Sequence, residues 1–196
     1  MSELPATDPA WADAVWAATL LAVDAPGLGG IALRASVGPV REHWTGLLRA
    51  LLDQDKPWRR MPSHIGDERL LGGLDLTATL QLGRPVAQRG LLAECDGGLL
   101  LLPMAERLSA ATAARLAMVL DSGEIAAQRE GIVQRWPCRI GLVAFDEGRD
   151  DDPALPAALA DRLAFHCDLS ALGWGHVGDS LHGAADIQAA RALLPQ

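Results

Sequence analysis

Apolar positions along this chain follow two rhythms. In 8–23 they recur every three or four residues, with Trp11, Val15, Trp16, Leu20 and Val23 read as one stripe. The same spacing returns in Val40, Trp44, Leu47, Leu48 and Leu51. Spacing of this kind predicts amphipathic helices. Both open on a proline, Pro9 behind an Asp8 cap and Pro39, where the missing N–H costs nothing and φ is preset. A third helix is predicted from the Ser109 cap through Leu120, with Ala113, Leu116 and Leu120 inward and Gly123 just beyond its end. The second rhythm is the short unbroken apolar run: Ile31-Ala32-Leu33, Leu99 to Leu102, and Ile140 to Ala144. Such runs suit strands buried on both faces of a parallel sheet. A second strand is predicted over 61–65, a last one over 164–168, and a hairpin from 124–128 and 132–135. Shorter helices are predicted near 76–82, 90–93, 156–163 and 184–194. Strands alternating with helices predict an α/β fold: a parallel sheet flanked by helices, with the hairpin as an insertion. The expected division is one domain over 1–169, with 170–196 a tail or the start of a helical lid or linker.

The stretch from Gly30 to Leu52 organises the rest. Strand, glycine-bearing loop and helix in that order is the layout of a phosphate-binding loop, G-x-x-x-x-G-K-[ST]. The glycines at 27, 29 and 30 precede the strand, whereas a dinucleotide-binding glycine turn must follow it, so that reading fails. Set Ala35 against the first glycine of the phosphate loop, and Gly38, Pro39, Val40, Arg41 and Glu42 fill the remainder. Each replacement removes chemistry. Pro39 has no N–H to offer an oxyanion, and Val40 puts a branched side chain where the backbone must approach closely. Arg41 keeps a positive charge but not a compact ammonium. Glu42 replaces the hydroxyl that would ligate Mg²⁺ and sets a negative charge beside polyphosphate.

Composition narrows the class. The 196 residues are 49% hydrophobic and 21% charged, enough apolar surface for a packed core. A net charge of −8 argues against a nucleic-acid or anionic-membrane partner, and Lys56, Arg59 and Arg60 are too few to reverse that. Cys95, Cys138 and Cys167 are odd in number, far apart and in apolar surroundings, which predicts buried reduced thiols rather than disulfides or zinc. With no basic N-terminal region and no apolar run of membrane length, a soluble, cytoplasmic protein is expected. His43, His64, His166, His176 and His182 lack metal spacing. Asp150-Asp151-Asp152 reads as a solvated loop. Trp11, Trp16 and Trp44 read as core or interface anchors.

Four stretches carry a more specific resemblance. They are Gly66-Asp67-Glu68-Arg69-Leu70-Leu71-Gly72-Gly73-Leu74-Asp75-Leu76, Arg89-Gly90-Leu91-Leu92-Ala93-Glu94, Gln128-Arg129-Glu130-Gly131-Ile132 with Trp136-Pro137-Cys138-Arg139, and Leu159-Ala160-Asp161-Arg162-Leu163. In this order, over about 10–169, the chain resembles the AAA+ module of the magnesium chelatase I/D family. In the ATP-hydrolysing I subunits of that family the counterparts look like E-D-R-x-x-G-x-x-D, G-L-L-A, a hairpin with R-E-G, and L-L-D-R-F. A Walker B strand ends in Asp-Glu, for Mg²⁺ and for the attacking water. Here Leu99 to Leu102 supply the strand, but Pro103 and Met104 stand where both carboxylates belong. The sensor position falls near Asp146-Glu147, whose charge repels a γ-phosphate. Loss of all three elements resembles the D subunits, whose N-terminal AAA+ domain is degenerate. Those subunits continue into an acidic, proline-rich linker and an integrin-type domain, so the chain looks like an N-terminal portion.

The resemblance implies a non-hydrolysing platform for (bacterio)chlorophyll biosynthesis, in a ligase that inserts Mg²⁺ into protoporphyrin IX. The implied partners are the I subunit, which would hold Mg-ATP, and the porphyrin-binding H subunit, within an oligomeric ring. No cofactor is expected on this chain itself. By resemblance Arg162, with Asp161 beside it, is a trans arginine finger for a neighbour's ATP, and Arg129 is a weaker candidate. Arg41 is expected in a structural salt bridge. The competing reading is an active MoxR-like ATPase or chaperone with Arg41 in place of lysine, and a third is a scaffold unconnected with chelatase.

Overall fold

A computed structural model describes residues 8–62, 64–129, 132–148, 152–178 and 184–194, and for 127–129, 132–134 and 184–185 the backbone alone. Five parallel strands form the central sheet: β1 (Gly30–Arg34), β2 (Trp58–Arg60), β5 (Leu99–Leu102), β8 (Gly141–Asp146) and β9 (Phe165–Asp168). Their order is β2-β5-β8-β1-β9. The hairpin β6 (Glu124–Arg129) and β7 (Ile132–Pro137) stands apart as a two-stranded sheet. A second small sheet joins β3 (Gly72–Leu74) and β4 (Ala87–Arg89) and had no signal in the apolar pattern, because its strands are three residues long.

The sheet works as a two-sided partition. Alternate residues of each strand point to opposite faces. On one face Ile31, Leu33, Leu99, Leu101, Val143 and Phe145 meet α1 (Pro9–Leu28) and α2 (Pro39–Leu51). On the other, Ala32, Leu100, Leu102, Leu142 and Ala144 meet α3 (Asp67–Leu71), α5 (Leu91–Glu94), α6 (Ala110–Ser122) and α7 (Ala157–Ala160). The helix α4 (Leu76–Leu82), capped by Asp75, buries no side chain. Gly30 is required where α1 gives way to β1: its φ is +137° and a Cβ would run into the backbone of Leu142.

Several expectations change. The second strand lies at Trp58–Arg60 rather than 61–65, and Met61 adds only one ladder bond, to the Leu101 carbonyl at 2.9 Å. The helix α1 continues past Val23 through a non-helical Asp24 and Pro26 to Leu28. Its buried face is not the predicted stripe. Trp11 and Val15 are inside, but Trp16 is 52% and Leu20 44% exposed, while Ala14, Ala17, Ala18 and Ala22 face the core. Alanines let the helix lie close to sheet and neighbours, and the pattern read the large side chains instead. On α6, Ala113 and Leu116 are buried as expected, whereas Leu120 is only partly so. Leu99–Leu102 does not adjoin β1; β8 lies between them.

The tail returns to the domain. Ile187, on α8 (Ala184–Arg191), is buried in the same core as Trp11. Arg191 donates to the Ala22 carbonyl at 2.8 Å and to Asp53 Oδ2 at 2.5 Å. Trp11 Nε1 donates to the Gly178 carbonyl at 3.0 Å, and His43 stacks on Trp11 and meets Trp174 edge-on. The cysteines are free. Burial pushes the Cys95 and Cys138 thiols up to about 12. No helix among the described residues is long and apolar enough to cross a membrane, and no group of three or more potential metal ligands is found among them.

Candidate functional site

Two arginine-centred sites lie at opposite ends of β1. At its C-terminal end the Ala35 amide donates to the Asp146 carbonyl at 3.0 Å, and α2 starts at Pro39. Arg41, in the first turn of α2, donates through Nη1 to Glu147 Oε1 at 2.7 Å. The pair is largely enclosed, with side-chain exposures of 13% and 20%. The Arg41 guanidinium also lies 4.9 Å above the Phe145 ring, a cation–π contact that holds it against β8. The Glu147 amide in turn donates to Glu106 Oε2 at 3.1 Å. Glu106 is 4% exposed; its Oε1 lies 3.4 Å from Arg107 Nε but accepts no hydrogen bond among the described residues.

Residues 103–106 complete this corner. Pro103 is buried, and Met104 sits at φ 50°, ψ 48°, a left-handed conformation that ordinary side chains seldom adopt. Neither offers a carboxylate for a metal. Glu42 is exposed on α2 and Gly38 precedes the helix. The sequence pattern missed Glu106, because the Walker B comparison ends two residues before it. A triphosphate does not fit these residues. Its γ-phosphate would have to displace Glu147 from Arg41 and sit beside Asp146 and Glu106, and Pro39 presents no N–H toward it.

At the other end Arg162 follows α7 and precedes β9, with its carbonyl packed against Gly29 where β1 begins. Its Nε donates to Asp121 Oδ1 at 2.7 Å and its Nη2 to Asp121 Oδ2 at 2.5 Å, while Nη1 donates to the Ala158 carbonyl at 2.6 Å. The pair is open, with side chains 33% and 53% exposed. Hydrogen bonding by Arg162 holds the Asp121 carboxyl below the usual carboxylate range, and Asp121 reciprocally raises the guanidinium pKa. Asp161 is exposed beside it and adds its negative charge to the field on the guanidinium. Arg129 lies on β6, where only the backbone is described, and Asp150 and Asp151 lie outside the described residues.

Arg41 lies beyond the C-terminal end of β1 and Arg162 beside its N-terminal end, and the five-residue strand itself is roughly 16 Å long at about 3.3 Å per residue. Arg41 and Arg162 therefore do not converge on one site.

No family model matches the chain. Over 184 residues, 94% of its length, it is 42% identical to the magnesium-chelatase 60 kDa subunit of Cereibacter sphaeroides. Over 180 residues it is 39% identical to the magnesium-chelatase 60 kDa subunit of Rhodobacter capsulatus. The C. sphaeroides magnesium-chelatase 38 kDa subunit shares 28% over 119 residues, or 61% of the chain. The chain spans 29% of the length of both 60 kDa relatives. Among solved structures, a cryo-EM-based model of the complex between the BchI and BchD subunits of magnesium chelatase matches 93% of the chain and 64% of its own chain. The TM-score is 0.62 at 22% identity. The chain thus has the AAA+ fold of those subunits and is related in sequence to the magnesium-chelatase 60 kDa subunits.

Proposed function

We propose that this chain, a relative of the magnesium-chelatase 60 kDa subunits, is the N-terminal AAA+ platform of a chelatase D subunit and does not hydrolyse ATP itself. It assembles with ATP-hydrolysing I subunits in a ring and presents Arg162 to a neighbour's Mg-ATP. Movement driven by that hydrolysis passes toward the porphyrin-binding H subunit, and the complex inserts Mg²⁺, here the substrate metal, into protoporphyrin IX on the route to (bacterio)chlorophyll.

One observation carries the reading: the end of the sheet where a nucleotide would bind is closed by the chain's own Arg41–Glu147 pair, while Arg162 stands open at the far end. An arginine that cannot reach its own chain's nucleotide end is useful only in trans. Such a group stabilises charge on a transferring phosphoryl and is worth about 10³–10⁵ in rate. The BchI–BchD complex, whose fold this chain shares, brings two such subunits together, and that supports an I-type neighbour. The MoxR-like alternative needs Arg41 free for phosphate, and Glu147 occupies it.

Two measurements test the proposal. Titration of the purified chain with Mg-ATP should give no saturable binding up to about millimolar, since Pro39 lacks an N–H, Arg41 is paired with Glu147, and Pro103 and Met104 offer Mg²⁺ no carboxylate. Saturable micromolar binding would overturn the platform reading in favour of an active ATPase. Mixed with an I subunit and nucleotide, the chain should enter a larger complex; two separately eluting species would favour the unconnected scaffold.

A further inference from the structure

We infer that Asp121 is the positioning residue for Arg162: it grips the guanidinium side-on so that its remaining N–H groups face a neighbouring subunit's phosphate. The inference rests on the trans role of Arg162 proposed above and adds the residue that makes that role effective.

A guanidinium has five N–H donors in a fixed plane. Three are committed within the chain: Nε and one Nη2 hydrogen to the two Asp121 oxygens, and one Nη1 hydrogen to the Ala158 carbonyl. Among the described residues nothing else accepts from Arg162, so two N–H groups remain, one on each terminal nitrogen. They suit two oxygens of a phosphoryl group. Both anchors lie in helices. Ala158 lies in α7, four residues before Arg162. Asp121 lies in the last turn of α6, which is closed by Gly123 at φ 66° with its N–H on the Val119 carbonyl at 2.8 Å.

The surroundings suit a docking edge. Ala114, Ala117, Met118 and Ala158 line a shallow apolar groove against the ion pair, and Met118 is 56% exposed. Small side chains let another subunit approach, and the charged pair stands at the rim. Without Asp121 a long, rotamer-rich side chain would have to be ordered anew at each encounter. Asp121 does not touch the phosphate, so it is not itself catalytic. The opposite role, a latch that keeps Arg162 away from the neighbour, would leave no N–H groups for a second acceptor. The geometry leaves two.

The test uses the assembly of this chain with the ATP-hydrolysing I subunit, and four forms of the chain: Asp121→Ala, Asp121→Asn, Arg162→Ala and Asp121→Ala/Arg162→Ala. Asp121→Ala should lower kcat for ATP about tenfold with KM held within about twofold, and Asp121→Asn, which keeps one acceptor oxygen, should recover part of the loss. In the Arg162→Ala background the Asp121→Ala change should add nothing. Unchanged or raised kcat in Asp121→Ala would overturn the inference, as would a further loss of about tenfold when Asp121→Ala is added to Arg162→Ala. If Arg162→Ala alone leaves turnover intact, the trans role itself fails and the positioning role with it. A fall for Arg162→Ala with no change for Asp121→Ala removes the positioning role alone.

Discussion

At the C-terminal end of β1, Arg41 is bound to Glu147 at 2.7 Å, over the face of Phe145 and largely out of water. At the N-terminal end, Arg162 is bound to Asp121 at 2.5 and 2.7 Å with both side chains partly in solvent. The chemistry is the same and the surroundings differ. The enclosed pair answers a charge that the fold would otherwise strand, so it belongs to the architecture. The open pair contributes little to folding, and its arginine keeps donors to spare. What sets Arg162 apart from the structural Arg41, and makes it the one proposed to act on a neighbour, is the solvent exposure of its pair, not the bond lengths.

The sharpest way to break this contrast is in the assembled complex. Arg162→Ala should lower ATP hydrolysis by the I subunit on the order of 10³-fold, whereas Arg41→Met, once folded, should leave it within about twofold. Equal losses, measured as steady-state phosphate release, would erase the distinction. In the isolated chain the ranking reverses. Arg41→Met should cost about 1–3 kcal/mol in urea unfolding, because Glu147 stays enclosed without its cation. Replacing both partners, Arg41→Met with Glu147→Leu, should recover most of that loss. Arg162→Ala should leave the urea midpoint nearly unchanged, as loss of an exposed ion pair does; a clear fall would make it a structural residue after all.

The smallest effect concerns a third pair, Asp53–Arg191, which fastens α8. Hydrogen bonding by Arg191 holds the Asp53 carboxyl below its ordinary 3.8. The pair therefore stabilises above that value and is lost as pH falls through the lower folded-state value. Hydrogen exchange in α8 should accelerate on acidification below about pH 4 before the central sheet responds. Simultaneous loss of protection in β8 would show that α8 is not held independently.

Much of this was legible in the sequence. The apolar runs at 31–33 and 99–102 and the Pro39 start fixed the sheet and α2, because a strand buried on both faces leaves an unbroken signature. The expected structural salt bridge of Arg41 is present too, with Glu147 as its partner. Three things were not legible. The alanine face of α1 carries little hydrophobic weight and lost out to Trp16 and Leu20. The three-residue strands β3 and β4 are too short to show a period. The partners Glu147, Glu106 and Asp121 are joined to their sites by chain separations of 41 to 106 residues, which no local pattern encodes.

The Arg41–Glu147 clasp also constrains the order in which this corner could be changed. A carboxylate placed at Pro103 or Met104 while Glu147 remains would add an anion to a corner that already holds Glu147, paired with Arg41, and Glu106, which accepts from the Glu147 amide. Removing Glu147 first would leave Arg41 enclosed and uncompensated. Each of these single changes is unfavourable by itself, so new anion chemistry at this corner would need both ends of the clasp replaced together.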